Sequence, residues 1–396
     1  PLLRSFCDVQ ISGIGQESMI LRLLRTFTFA WLWMIFFAFL EQPAAASQYQ
    51  LPGQAQQIWD DFKFNLLALH SYQPGCEPAQ IRPAEGTSYQ GVIILLHGFT
   101  SCPKQFFKMA DSFSERGFHV LIPTLPGHGR AGDNELEHQE ELPGARNWFL
   151  YSSFAHWLNR LARSVAYGDV HIGGLCLGAT IATQAMQIEP DLYTRGLLLS
   201  PFFEVSKPLL GRIGRLVGRV ADVINIEHQL QVPIALQDNH VCENIERKIH
   251  GRAGYCKVRL THLIGVSRYA YQVKKNWRDI TPTLQTLIVE NDEVARPQTT
   301  LKLLGSAESS ASVDLHTCVL NQKVTHSMFS PTDLPLPKPW LPELHSSLSE
   351  FFESGESVEH SGESRYAWLD SNRRVKSCAL FPTESREKVS SFEQIQ

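Results

Sequence analysis

Residues 169–188, with the sequence DVHIGGLCLGATIATQAMQI, constrain the fold of this chain more than any other stretch. The pattern predicts a short apolar strand, then a glycine-rich corner, then a helix. Cys176 stands at the corner, between Gly174 and Gly178. We expect glycine at both flanking positions because a side chain there would collide with the neighbouring strand or helix. The stretch therefore predicts a sharp turn that pushes the side chain of Cys176 into the open.

The spacing Gly-x-Cys-x-Gly is that of a nucleophile elbow, in which serine is the more usual central residue. Such a turn places the backbone N–H of Leu177 at a helix N-terminus, where it can bind a developing oxyanion. The positive end of the helix dipole also favours a thiolate at the corner. The alternative interpretation of Cys176 is a packed, inert cysteine.

The composition is that of a globular protein without an affinity for nucleic acid. The chain has 396 residues, of which 43% are hydrophobic and 19% charged, enough for one large α/β domain with additions. Its formal net charge is −4, and no basic run interleaved with aromatic residues stands out. We therefore expect no nucleic-acid partner.

The N-terminal part has the pattern of an export signal. In residues 19–46, two arginines precede a 15-residue apolar run from residue 26 to residue 40, and three alanines end just before Ser47. This pattern predicts a cleaved signal peptide and a periplasmic or secreted protein. A membrane anchor through residues 26–40 is the alternative, although 15 residues are fewer than the roughly 20 that span a bilayer. Residues 1–18 precede the first methionine, and we expect them to lie outside the folded protein.

Strands and helices are predicted to alternate along the domain, which we place at residues 47–352. Apolar strands are predicted at 91–101, 119–129, 195–203, 284–297 and 313–320, and helices at 58–69, 106–116, 146–166 and 341–352, besides the strand and helix of 169–188. This alternation predicts an α/β fold with a mostly parallel central sheet and helices on both faces. Residues 353–396 are rich in Ser and Glu, and we expect a disordered tail.

Residues 204–280 interrupt this pattern and carry more Lys and Arg than Asp and Glu. One predicted helical face in this insertion is apolar, and comprises Leu209, Leu210, Ile213, Leu216, Val217, Val220, Val223 and Ile224. Such a helix can simply pack on the body of the domain. It can also form a cap over the site, where the apolar face would meet a lipid-like substrate or contact a membrane surface peripherally.

Five motifs stand in an order that resembles the α/β-hydrolases, in particular their lipase, esterase and serine aminopeptidase-like branch. They are LLHGFTS ending at residue 101, LPGHG ending at 129, GLCLG at the corner, DEVARP at 292–297 and the histidine at 326. The resemblance covers roughly residues 91–352. It implies an α/β-hydrolase fold, in which residues 204–280 are an insertion that we interpret as a cap.

The resemblance also implies the roles of three side chains. Cys176 would be the nucleophile, His326 the general base and acid, and Asp292 the residue that orients the imidazole and balances its charge. A free thiol has a pKa of about 8.5, so an imidazole is needed to take its proton or to hold the thiolate as an ion pair. Glu290 and Glu204 remain open as alternatives to the acid.

An oxyanion hole is expected from the backbone N–H groups of Phe99 and Leu177. His97 would brace the loop that presents Phe99 without titrating. The elbow also resembles those of dienelactone hydrolases and polyhydroxyalkanoate synthases, but the predicted leader argues against these cytoplasmic enzymes.

An odd number of cysteines follows the predicted leader, so at least one thiol must stay unpaired within a monomer. The cysteines after the leader are Cys76, Cys102, Cys176, Cys242, Cys256, Cys318 and Cys378. We expect Cys176 to be free, and Cys242 and Cys256 are a plausible pair within the insertion. The other pairings cannot be assigned from the sequence.

These observations favour an exported carboxylic-ester or thioester hydrolase that forms an acyl-cysteine intermediate. The substrate would be a small molecule, lipid-like if the cap covers the site, and neither a metal nor an organic cofactor is expected. An acyltransferase with the same three residues is one alternative. A catalytically inactive hydrolase fold that serves as a binding module is another.

Overall fold

The computed structural model describes residues 51–132, 137–165, 167–206, 231–233, 257–277, 280–289, 292–307, 315–320, 326, 341–354, 368–369 and 375–376. The chain divides into two compact units, residues 1–50 and 51–396, and only the second contains described residues. The predicted leader, residues 19–46, and the preceding residues 1–18 thus lie outside them.

A nine-stranded sheet forms the centre of the described structure. Its strands are β1 (Ala79–Ile81), β2 (Gly91–Leu96), β3 (Phe118–Ile122), β4 (Asp169–Leu175), β5 (Arg195–Leu199), β8 (Thr283–Val289), β9 (Leu315–Leu320), β10 (Trp368–Leu369) and β11 (Val375–Lys376). A separate antiparallel pair consists of β6 (Gln231–Pro233) and β7 (Lys257–Arg259).

The strand order in the sheet is β1-β3-β2-β4-β5-β8-β9-β10-β11. The six strands from β3 to β9 in this order pair in parallel, whereas β1 at one end of the sheet and β10 and β11 at the other end pair antiparallel. Every residue of β2 is buried, as expected for a continuous apolar strand that is covered on both faces. The predicted mostly parallel sheet is therefore confirmed.

Seven helices surround the sheet in the described part of the chain. They are α1 (Leu51–Leu69), α2 (Phe107–Glu115), α3 (Phe149–Arg163), α4 (Leu177–Ile188), α5 (Leu260–Lys274), α6 (Pro297–Ala307) and α7 (Leu341–Ser354). Helix α3 packs on α1 and α4, α4 also packs on α5, and α2 packs on α7. Short 3-10 helices lie at Pro103–Phe106 and Glu137–Gln139.

Several elements differ from the sequence prediction. The strands predicted at 91–101, 119–129 and 284–297 end earlier, at Leu96, Ile122 and Val289. Strand β5 ends at Leu199 because Ser200, at a φ of 40°, turns the chain away from the sheet. Helix α6 begins at Pro297, where the sequence pattern predicts the end of the preceding strand; proline is favourable in the first turn of a helix. Strands β10 and β11 lie within residues 353–396, so the predicted disorder does not extend to these four residues.

The end of the predicted insertion packs on the body of the domain. Helix α5 contacts α3 and α4, and the Thr261 hydroxyl accepts a hydrogen bond of 3.1 Å from the Ala145 N–H. Arg268 donates a hydrogen bond of 2.5 Å to the Ala145 carbonyl. The predicted apolar helical face between residues 209 and 224 lies outside the described residues.

Candidate functional site

Cys176 occupies the corner between β4 and α4 with a φ of 54° and a ψ of −114°. A positive φ is uncommon for a residue with a side chain, and such strain often marks functional sites. The corner is held by hydrogen bonds from the Cys176 N–H to the Leu199 carbonyl, at 2.9 Å, and from the Phe202 N–H to the Cys176 carbonyl, at 3.2 Å. The predicted sharp turn is confirmed. The residue is nevertheless only 6% exposed. The prediction that the turn pushes the side chain of Cys176 into the open is therefore wrong.

The two flanking glycines have no room for a side chain. A Cβ atom on Gly174 would lie 2.4 Å from the carbonyl carbon of Gly178. A Cβ atom on Gly178 would lie 1.9 Å from the Leu96 carbonyl oxygen at the end of β2. The predicted collisions are therefore confirmed, and the close approach of α4 to β2 depends on glycine.

Asp292 and His326 meet beyond the ends of the neighbouring strands β8 and β9. The His326 Nδ1 atom lies 2.6 Å from the Asp292 Oδ2 atom; the Asp292 side chain is buried, and that of His326 is 9% exposed. The other carboxylate oxygen, Oδ1, accepts hydrogen bonds from the N–H groups of Val294, at 2.8 Å, and Ala295, at 2.9 Å. Because these two bonds orient the carboxylate, its Oδ2 atom faces the imidazole.

The surroundings of His326 favour its protonated form. Burial by itself lowers the pKa of this imidazole, but the charge of Asp292, the neighbouring Cys176 side chain and the hydrogen bond to Asp292 together outweigh burial and raise the pKa to about 10. The Nε2 atom of His326 is buried and has no hydrogen-bond partner of regular geometry among the described residues. The structure thus brings together Cys176, His326 and Asp292, the three side chains that were expected from the sequence to act together.

Glu204, one alternative acid, is engaged elsewhere. Its carboxylate accepts a hydrogen bond of 2.8 Å from the Thr299 hydroxyl and lies 3.6 Å from the cationic groups of Lys274 and Arg296. Glu290, the other alternative, lies outside the described residues. Among the described carboxylates, Asp292 is the one that meets His326.

The loop after β2 brings Phe99 beside the nucleophile corner. A Cβ atom on Gly98 would lie 3.6 Å from the Cβ atom of Cys176. Leu177 is the first residue of α4, so its N–H has no acceptor within the helix. Within the described ranges, the backbone N–H groups of Phe99 and Leu177 donate to no other residue, which leaves both available to an oxyanion.

His97 holds the peptide plane that contains the Phe99 N–H. Its Nε2 atom accepts a hydrogen bond of 3.0 Å from the Leu125 N–H, so the neutral ring carries its proton on Nδ1. That Nδ1–H donates to the Gly98 carbonyl at 3.0 Å, and the Phe99 N–H of the same trans peptide points the opposite way. Burial lowers the pKa of His97 to about 4. This geometry agrees with the expected bracing role.

Gln105 was not singled out in the sequence, yet its Oε1 atom accepts a hydrogen bond of 2.9 Å from the Gly98 N–H. No motif signals this contact, because it depends on how the 3-10 helix folds back on the loop.

A buried disulfide joins Cys76 to Cys102, three residues beyond Phe99. Among the cysteines whose side chains the structure describes, Cys176 is the free one, as predicted. The side chains of the remaining cysteines, including the predicted pair Cys242 and Cys256, lie outside the described part of the structure.

The described residues contain no group of three or more His, Cys, Asp or Glu side chains arranged to hold a metal ion. No described helix is long and apolar enough to cross a bilayer.

Similar proteins are found by sequence and by structure. A thermostable monoacylglycerol lipase of Bacillus sp. (strain H-257) is 24% identical over 103 residues, which are 25% of this chain and 36% of the lipase. The chain thus spans about a third of the length of this curated relative.

Two solved structures share the fold. One comes from the work on LipS and LipT, two metagenome-derived lipolytic enzymes; it is 16% identical, with a TM-score of 0.51, and the match covers 72% of this chain and 100% of that one. The other is a soluble variant of monoglyceride lipase from Saccharomyces cerevisiae in complex with a substrate analogue. It is 12% identical, with a TM-score of 0.52, over 71% of this chain and 92% of that one.

The family described as serine aminopeptidase, S33, matches residues 87–330, which is more than half of the chain. This range includes the loop with Phe99, the corner with Cys176, and both Asp292 and His326. The mostly parallel sheet and the two solved structures agree with the fold predicted from the five motifs. The chain therefore belongs to the serine aminopeptidase S33 family of α/β-hydrolases.

Proposed function

We propose that this protein is a carboxylic-ester hydrolase that acts through an acyl-cysteine intermediate. The observation that carries the proposal is the contact of 2.6 Å between His326 and Asp292, next to the free thiol of Cys176 on a strained corner. A positioned base beside a nucleophile, itself oriented by a carboxylate, is the arrangement that acyl transfer needs.

In the first half of the reaction, the Nε2 atom of His326 takes the thiol proton and the Cys176 sulfur attacks the carbonyl carbon of the ester. The C–S bond forms as the carbonyl π electrons move to the oxygen, and the N–H groups of Phe99 and Leu177 stabilise the resulting oxyanion. The oxyanion then collapses and the C–O bond to the alcohol breaks. The alcohol leaves with the proton that His326 donates from Nε2.

In the second half, water attacks the thioester carbonyl carbon while His326 accepts one of its protons. The second oxyanion accepts hydrogen bonds from the same two N–H groups. It then collapses, and the C–S bond breaks. The carboxylic acid leaves, and the sulfur and the imidazolium return as an ion pair. Asp292 balances the imidazolium charge throughout, which agrees with the raised pKa of His326.

An apolar acyl chain is the substrate feature that the surroundings favour. The Phe99 side chain packs against the main core and against a second cluster, in which Leu142 and Val258 are buried and Leu263 is half-buried. Val258 and Leu263 belong to the described end of the insertion. An apolar wall beside the oxyanion donors suits a fatty acyl group, and the name of the Bacillus relative supports a monoacylglycerol as the ester.

A panel of chromogenic esters, thioesters and monoacylglycerols of increasing acyl length tests this proposal. We expect kcat/KM to rise with chain length over several carbons, because each buried methylene contributes up to about 0.8 kcal/mol. Released acid and alcohol would both be measured, so that hydrolysis is separated from transfer to another acceptor. A profile that does not vary with chain length would contradict the apolar acyl site, and no turnover of any ester would contradict hydrolysis itself.

We also propose that the protein is exported. The arginine-flanked apolar run before Ser47 supports this, as does the buried Cys76–Cys102 disulfide, since disulfides persist mainly in oxidising compartments. We expect the native protein to begin at Ser47 or within a residue or two, which intact-mass spectrometry would measure. Recovery of residues 26–40 in a membrane fraction would instead indicate an anchor.

A further inference from the structure

The loop that carries Asp292 is bonded to the segment Glu204–Ser206, which leads from β5 into the insertion. Val205 and Ala295 form an antiparallel β-bridge. On either side of it, the Ser206 N–H donates to the Val294 carbonyl at 3.0 Å, and the Arg296 N–H donates to the Glu204 carbonyl at 2.8 Å. Three residues of each segment are thus held side by side.

The Ser206 side chain reaches Asp292 itself. Its hydroxyl donates a hydrogen bond of 2.5 Å to the Asp292 backbone carbonyl. The carboxylate of Asp292 is oriented from within its own turn, by the N–H groups of Val294 and Ala295. Ser206 therefore supplies a side-chain contact from a distant part of the chain to the backbone on which that turn is built.

The Glu204 carboxylate extends the same connection to two helices. It contacts Lys274 in the last turn of α5, at 3.6 Å, and Arg296 just before α6, also at 3.6 Å. It also accepts the hydrogen bond from Thr299 of α6, at 2.8 Å. Partly exposed ion pairs of this length contribute little to stability individually, so we assign the main effect on the position of Asp292 to Ser206.

We propose that Ser206 is a positioning residue, whose hydroxyl holds the Asp292 backbone so that the carboxylate stays in contact with His326. This inference rests on the proposed roles of Cys176, His326 and Asp292. The attraction between a buried carboxylate and an imidazolium weakens as their separation grows, and small displacements of catalytic groups have large effects on rate. Loss of the hydroxyl should therefore weaken the acid–imidazole pair without removing either group.

The test compares Ser206→Ala with Ser206→Thr, which keeps the hydroxyl. We expect the alanine variant to lower kcat/KM about fivefold to tenfold, as for one lost hydrogen bond, mainly through kcat. The pKa of His326 should fall from its raised value, because Asp292 supports the imidazolium less. NMR titration of labelled histidines, with the His326 signal assigned from His326→Gln, measures this directly and does not need turnover. The threonine variant should restore both quantities.

Ser114→Ala is the matched control, because the Ser114 hydroxyl also joins distant segments by donating to a backbone carbonyl, that of Arg82, at 2.7 Å. It should lower stability by a similar amount while leaving the pKa of His326 and kcat/KM unchanged. If Ser206→Ala does not fold, Ser206→Val is compared with Ser206→Thr, since the two side chains have the same shape and valine carries a methyl group in place of the hydroxyl.

An unchanged pKa of His326 in the variants without the hydroxyl would overturn the inference, even if the enzyme hydrolyses esters. A fall in this pKa in a protein that hydrolyses no ester would support the positioning contact and contradict the proposed function.

Discussion

Replacing Cys176 with alanine is expected to lower ester turnover by about 10⁴-fold or more, because the sulfur that forms the covalent intermediate is gone. The fold should persist, since the corner already tolerates a small side chain and its backbone hydrogen bonds do not involve the sulfur. Steady-state kinetics on the best ester of the panel measures the loss, and circular dichroism checks the fold. This is the largest effect on activity that we predict.

Alkylation provides an independent measurement of the same nucleophile. Iodoacetamide should inactivate the wild-type protein, and peptide mapping should find the label on Cys176, whereas Cys76 and Cys102 are protected in their disulfide. Cys176→Ser is the matched variant, because it keeps the geometry and changes only the attacking atom. Near wild-type activity of the alanine variant, or stronger inhibition by a serine-directed phosphonate than by iodoacetamide, would contradict the acyl-cysteine mechanism.

Replacing Gly178 with alanine is expected to have the largest effect on stability, a loss of about 3 kcal/mol or more. Helix propensity alone would predict a gain of up to about 1 kcal/mol from this change within α4. The collision outweighs this gain and makes the change destabilising, because the new Cβ atom would lie 1.9 Å from the Leu96 carbonyl oxygen and 2.6 Å from that of His97. Backbone atoms cannot move aside as a flexible side chain can, so α4 must shift away from β2.

Denaturant unfolding measures this loss, with Gly86→Ala as the control. Gly86 has a φ of 83° and no atom within 4 Å of its added Cβ, so this variant reports the backbone cost without a collision, about 1–2 kcal/mol. A Gly178→Ala protein that is as stable as the control would show that the elbow accepts a side chain. Activity should also fall in Gly178→Ala, because the shift would displace the Leu177 N–H.

The order of strands and helices followed from the sequence because it depends on local patterns. Continuous apolar runs such as β2 predicted buried strands of a covered sheet, and apolar residues at helical spacing predicted α3. The elbow was equally local, since two glycines around Cys176 within five residues determine a sharp turn. The positions of Asp292 and His326 came from their order relative to these strands and from the family resemblance.

The tertiary structure alone decided which distant side chains meet. Asp292 and Glu204 both follow strands of the sheet. Their surroundings differ, because the Glu204 carboxylate contacts Lys274, Arg296 and Thr299, whereas Asp292 faces His326. The Cys76–Cys102 pairing, the Gln105 contact to Gly98 and the burial of Cys176 were decided in the same way. Sequence patterns report the conformation of neighbouring residues, whereas these contacts depend on the packing of segments that are far apart along the chain.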